Sequence, residues 1–421
     1  MHIPTTAFAP CLAVLLLGTT SALAQAYEAD LNYWSSYGAS ETQAEVLRHA
    51  AAAFMAENPD VSITFTFNGR DNYQLLPAAV EAGRNIQMFD GNSQQIVSTF
   101  SAFTGTVQPW IDQGYPWTGD EPYSEYTMPA MMALAKQIDT ADTIRFVPMN
   151  PQAVMWFGNR AIFEAAGINT LPATWDEFVA DCGKIRDAGY TPITTDPPYS
   201  AIIFGYYLSR LKGEAFVADL VQGNGAASWD DPAVLEAARA IETLAANGCY
   251  AADVDANVWP AGQQDMVIGE QTAMYLNGTW LPNEVQASTP EGFSWTAFAF
   301  PDVPGAVDDA GHLAYGSYGI AVNTANSEAE NAAAVAFATY VNSKFDGEMA
   351  DLAKAIPVGP ETAWPKELAD VKTVFEHTTG KYRPQTAITM NGDLTPILNG
   401  AMMKLVAGQI TAAQFVDEIR R

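Results

Sequence analysis

Apolar residues recur along this chain with two periods, two and about 3.6, and the regular exchange between them predicts an α/β protein. Near the start, Leu31 and Tyr33 alternate with polar neighbours as a strand. Ser40 offers a helix N-cap, with Gln43 three residues on to complete a capping box. Leu47, Ala50, Ala51 and Phe54 then follow helical spacing until Asn58-Pro59 stops the run. Val61, Ile63, Phe65 and Phe67 return to strand period. In a parallel strand–helix–strand unit, the loop Trp34-Ser-Ser-Tyr37-Gly38 lies at the carboxyl edge of the sheet, where ligands bind. The loop contains no Gly-x-Gly-x-x-Gly, so a dinucleotide site is not predicted.

The same grammar continues downstream. Thr174 and Glu177 form a second capping box, and acids in that first turn suit the helix dipole. Asp231-Pro232 opens a helix whose buried stripe is Leu235, Ala238, Ile241 and Leu244, with Gly248 just past its end. Ala273-Met-Tyr-Leu276 reads as a buried strand running into Asn277-Gly278, where glycine admits a positive-φ turn, and then into Trp280. Gly319-Ile-Ala-Val-Asn323 reads as a strand, followed by a helix boxed by Ser327 and Glu330. The last twenty residues predict one amphipathic helix ending in Arg420-Arg421. There is no internal repeat and no low-complexity linker. Two lobes joined by several crossing segments fit that pattern.

Residues 1–26 carry no Asp, Glu, Lys or Arg and contain the apolar run Leu12-Ala-Val-Leu-Leu-Leu17. Ala22-Leu-Ala24 and Ala24-Gln-Ala26 fit the small-x-small cleavage pattern, so the segment reads as a secretory signal peptide. Cys11 precedes the apolar run, so it is not placed as a lipid-modified cleavage-site cysteine and no lipid anchor is predicted. The remaining chain, 27–421, is too long for one compact core and predicts two. The net charge of −28 lies wholly in that part. Such an acidic surface opposes phosphate backbones and excludes nucleic acid as a natural partner. Cys182 and Cys249 remain in an exported chain, where a disulfide or two buried thiols both fit.

Enzyme chemistry finds little support. The four histidines are far apart and form no His-x-x-x-His pair, so no metal site is predicted. No Gly-x-Ser-x-Gly elbow occurs. Asp253-Val-Asp255-Ala-Asn257 begins like a calcium loop, but Val258 and Gln264 occupy the sixth and twelfth positions, where Gly and Glu are needed. The alternative is an exported glycoside hydrolase, which needs two carboxylates facing across a cleft.

Five segments in order carry a family resemblance. They are Arg145-Phe-Val-Pro148 with Val154-Met-Trp156-Phe-Gly-Asn159; Phe163, Gly167 and Pro172-x-Thr174-Trp175-Asp176-Glu177-Phe178; Gly269 with Ala273-Met274 and Gly278-Thr-Trp280; Gly316-Ser-Tyr-Gly-Ile320; and the opening Trp-containing loop with Asn58-Pro59-Asp-Val61. The chain resembles the extracellular solute-binding proteins of ABC importers, the sugar-binding group that includes maltose-binding protein. Gln271 and Thr272 depart from the small and basic residues usual before Ala273-Met274, and Gly158 stands where many members have Tyr. The resemblance implies a two-lobe periplasmic-binding-protein fold of type II with a ligand cleft between lobes. It places one lobe at 27–147 plus 310–356 and the other at 148–309 plus 357–421. It also implies a periplasmic location, a monomer, a membrane permease as partner, no cofactor and no catalytic residue. A binding protein serving a chemoreceptor would share that fold.

A sugar ligand also follows from residue chemistry. Flat aromatic faces stack on the C–H faces of a pyranose, and Asp, Asn, Gln and Arg bind its hydroxyl rim. Candidate platforms are Trp34, Tyr199, Trp259, Trp280 and Tyr315. Candidate rim residues are Asp71, Asn92, Asp196, Asn277 and Arg383, with Ser35 and Gly316 beside them. A mono- or oligosaccharide is expected, with polyols and polyamines left open.

Overall fold

The computed structural model describes residues 26–138 and 143–420. Apart from Ala26, the predicted signal peptide lies outside the described residues. The strands among them are β1 (Ala29–Ser35), β2 (Val61–Phe67), β3 (Met88–Asn92), β4 (Phe146–Asn159), β5 (Thr191–Thr194), β6 (Thr272–Gly278), β7 (Trp295–Phe298), β8 (His312–Val322) and β9 (Gly380–Tyr382). The order across the sheet is β2-β1-β3-β8-β4-β6-β5, with β7 on β4 and β9 on β8. The opening unit is as predicted: β1 pairs with β2 in parallel, Tyr33 opposite Phe65, and the helix Thr42–Glu57 connects them.

Local capping follows the sequence with two corrections. Thr174 accepts from the Glu177 amide at 3.3 Å while Glu177 accepts from the Thr174 amide at 3.0 Å. Ser327 and Glu330 close the same box, and Asp231 accepts from the Ala233 amide at 2.9 Å. Ser40, however, does not cap the first helix. Glu41 takes the N-cap position, and its longer side chain reaches back to accept from the Gly38 amide at 2.9 Å. The last twenty residues are not one helix either. Gly408, at φ +68°, separates Thr395–Val406 from a second helix, Ala412–Ile419, with its own Thr411–Gln414 box.

Burial divides the side chains into two large cores. One gathers Leu31, Tyr33, Phe54, Phe89, Ile320 and Phe337. The other gathers Phe163, Phe178, Tyr206, Ile241, Phe300 and Phe415. Strands β4 and β8 feed both: Phe146 and Val147 pack in the first, Val154 and Trp156 in the second. The two lobes thus share one antiparallel ladder, from Phe146 opposite Ala321 to Val154 opposite Ala314. No helix among the described residues is long and apolar enough to cross a membrane.

The ladder is irregular at mid-length. Its register shifts between Met149 and Pro151, and Asn150 takes φ +52°. Asparagine tolerates that left-handed region better than most residues. Pro148 and Pro151 are admitted because β6 joins β4 only from Val154 onward, leaving one side of this stretch without a strand partner. At the far end the hydroxyl of Tyr206 enters the ladder. It donates to the Val154 carbonyl at 2.6 Å and accepts from the Ala314 amide at 2.8 Å. Gly319 is required by contact: a Cβ there would lie 2.4 Å from Cδ2 of Phe146. Gly319→Ala is expected to lower stability by about 1–3 kcal/mol, measured as a shift in denaturant midpoint with unchanged slope.

Candidate ligand-binding cleft

Where β4 and β8 cross, a cavity of about 820 Å³ opens between the lobes. Its floor is Gln152, Val154, Ala314, Tyr315 and Gly316 from the crossing strands. One wall is built on the loop after β1. Asp90, on β3 and fully buried, accepts from Ser35 Oγ at 2.5 Å, the Ser36 amide at 2.7 Å and Ser36 Oγ at 2.5 Å. Burial raises the Asp90 pKa, and the serine hydrogen bonds oppose that rise. This anchor delivers Tyr37, which stacks on Tyr318 of β8 with ring centroids 5.1 Å apart and planes 18° apart. The Asn150 side-chain Nδ2 donates to the Tyr37 hydroxyl at 2.8 Å. Arg70 lies over both rings, 5.9 and 5.8 Å from their centroids. It donates to the Ser36 carbonyl and sits 3.7 Å from Glu41.

The opposite wall is built on the end of β6. Trp280 stands in the turn before the helix Leu281–Glu284 and donates to the Tyr199 hydroxyl at 3.4 Å. Gly278 is needed here for a reason other than the predicted turn. It closes β6 without a positive φ, and a Cβ on it would fall 2.1 Å from the Trp280 ring. Trp259 lines the same wall with 47% of its surface exposed, a large apolar face presented to the cavity. Glu284 also faces the cavity, but surrounding protein crowds its carboxyl group. That burial pushes its pKa up to about 7, and Glu41 adds to the rise while the Gln263 side chain and Arg70 oppose it.

Six of the twelve predicted site residues line the cavity: Asn92, Tyr199, Trp259, Trp280, Tyr315 and Gly316. The others lie elsewhere. Asp196 is buried and accepts from the Gly262 amide at 2.8 Å, the Gln263 amide at 3.0 Å and the Tyr275 hydroxyl at 2.9 Å. Its carboxylate caps the helix Ala261–Val267. Ser35 is committed to Asp90, and Asn277 accepts from the Gly278 amide at 2.6 Å. Trp34 packs against the first core, Asp71 is exposed outside the cavity, and Arg383 pairs with Glu214 beside a separate cavity of about 440 Å³. Trp156 is fully buried against Phe178 and Phe298.

Sequence reasoning passed over Arg70, Glu41 and Glu284. Arg70 was within reach of the rule used for the first loop, because β2 runs parallel to β1 and its carboxyl end meets the same cleft. Glu284 carries no such mark. Cys182 and Cys249 are both buried thiols. Among the described residues, no three His, Cys, Asp or Glu side chains come together as a metal site.

Comparison with known proteins establishes the family. Residues 38–344 match the bacterial extracellular solute-binding proteins, and the chain belongs to that family. A binding protein of Brucella abortus is 25% identical over 249 residues, 56% of this chain and 55% of its own, so the matched stretch spans about half the length of that relative. A solved chitin oligosaccharide binding protein superimposes with TM-score 0.72 at 18% identity, covering 93% of this chain and 97% of that one. The apo form of RafE from Streptococcus pneumoniae gives 0.73 at 14% identity, covering 94% and 97%. These structures share the two-lobe α/β fold.

Asp90→Ala is expected to leave three buried donors without an acceptor and to cost about 3 kcal/mol or more, read by equilibrium unfolding. Gly278→Ala is expected to displace the Trp280 ring and cost about 1–3 kcal/mol, with altered indole fluorescence as the local readout.

Proposed function

We propose that this chain is the periplasmic substrate-binding protein of an ABC importer and captures a mono- or oligosaccharide for a membrane permease. The observation that carries the reading is the cleft itself. Aromatic side chains line it from both lobes, the stacked pair Tyr37 and Tyr318 on one side and Trp259 and Trp280 on the other, with the half-exposed Trp259 ring offering the open face and Asn92, Gln152 and Asn283 supplying polar groups. That arrangement suits the apolar faces and hydroxyl edge of a pyranose. A ligand touching both walls favours the closed arrangement, since only there are both sets of contacts made. Family membership supports the transport role, as do the chitin oligosaccharide binding protein and RafE, the latter also solved with raffinose. In this reading the lobes are 27–147 plus 310–356 and 148–309 plus 357–421, residues 1–26 direct export without a lipid anchor, and the chain works as a monomer without catalysis.

The cleft does hold one carboxylate from each lobe, Glu41 and Glu284, so capture must be separated from hydrolysis. A thermal-shift screen over sugars, with product analysis on every positive, makes the separation. Ligand at about 100 times its Kd is expected to stabilise the fold by about 2.7 kcal/mol with no product formed. Trp280→Ala is expected to remove most of that shift while its own melting stays cooperative. Turnover of the bound sugar would replace this reading with the hydrolase, and an unaltered shift in the variant would take Trp280 out of the site.

A further inference from the structure

The cleft is unbalanced in its hydrogen-bonding groups. Gln43 and Gln263 are 8% and 2% exposed, line the cavity from opposite lobes, and each leaves its side-chain oxygen without a partner among the described residues. Gln264, which also lines the cavity, leaves a third buried amide oxygen unpaired. Two carboxyl groups, Glu41 and Glu284, line the same cavity. The cationic donor lining the cavity is Arg70, already engaged with the Ser36 carbonyl and beside Glu41. Among the described residues lining the cavity, two carboxyl groups face one base, so ionising Glu284 leaves this part of the cleft with a negative charge in excess.

Buried acceptors without donors are costly, and so is a carboxylate without a counter-charge. A neutral sugar meets this need poorly. Each hydroxyl gives one donor but brings two lone pairs of its own. A protonated amine brings three donors, no acceptor and the missing positive charge. A uronic acid would add a third carboxylate.

We infer that the cleft selects a sugar bearing a protonated amine, an amino-deoxy unit whose ammonium group sits between Glu284 and Glu41 within reach of the Gln43 and Gln263 oxygens. The inference rests on the sugar reading proposed above and narrows it. The crowding that raises Glu284 agrees with it, because a bound cation would relieve the cost of ionising that group. Arg70 is held over Tyr37 and Tyr318 by the Ser36 carbonyl, 3.7 Å from Glu41, and its single charge is shared between Glu41 and Glu284.

Titration calorimetry on the full exported chain with matched pairs tests this: glucosamine against glucose, galactosamine against galactose, mannosamine against mannose, and the corresponding dimers, with N-acetylated and uronic forms of each. The amine of at least one pair is expected to bind about 10- to 100-fold tighter than its neutral partner, with the N-acetylated and uronic forms weaker still. Glu284→Gln, close in shape but uncharged, is expected to collapse that ratio while leaving the melting transition intact. Neutral or N-acetylated sugars binding as well as or better than the amines would overturn the amine assignment and leave the sugar reading standing. An unchanged ratio in Glu284→Gln would overturn the role of Glu284. Binding of no sugar in the panel would overturn both.

Discussion

The antiparallel ladder between β4 and β8 is the constraint on which the rest depends. Its backbone hydrogen bonds run from the first core to the second, and it forms the floor of the cleft. Its irregularities sit where regular pairing would conflict with the site. The residue at the register shift, Asn150, turns its side-chain amide to the Tyr37 hydroxyl, so an irregularity in the ladder becomes the support of an aromatic wall. Pro148 and Pro151 mark the same stretch as one that needs no strand on its other side.

Polar groups in and around the cleft divide into those consumed by the fold and those left over. Asp90 and Asp196 are both buried, and each spends its oxygens on nearby donors: Asp90 on the loop after β1, Asp196 on a helix start and Tyr275. They position the walls without touching the space between. Glu41 is shared, with one oxygen on the Gly38 amide and the other toward Arg70. Glu284 lies at the other extreme: burial outweighs what the Gln263 side chain and Arg70 give it, and its pKa rises to about 7. The fixed carboxylates hold the wall segments in place, while Glu284 keeps a carboxyl group at the cavity surface.

Much of this architecture was legible in the sequence. Alternating periods and capping boxes at Thr174, Asp231 and Ser327 depend on neighbours within a few residues, so a linear reading finds them. Half of the candidate site was legible because Tyr199, Trp259, Trp280 and Tyr315 are large aromatics close to strand ends or turns. The rim residues were harder. Asp196 and Arg70 are equally polar in sequence, but which one faces the cleft is decided by partners 66 and 34 positions away, the Gly262 amide and the Ser36 carbonyl. The role of Gly278 was misread for a similar reason. Its need for a missing side chain comes from the folded position of the Trp280 ring, not from a turn.

The Tyr206 hydroxyl has a mechanical meaning beyond its hydrogen bonds. A direct rung between Val154 and Ala314 would be a stiff joint, with one preferred length and angle. Replacing it with a phenol oxygen makes a link with two joints, and the ring behind it is stacked on Phe300, with centroids 4.7 Å apart and planes nearly parallel at 2°. The two strands can therefore splay or slide at this rung by sharing the distortion between two bonds while every amide and carbonyl keeps a partner. The extra joint thus sits at one side chain, at the end of the ladder that enters the second core.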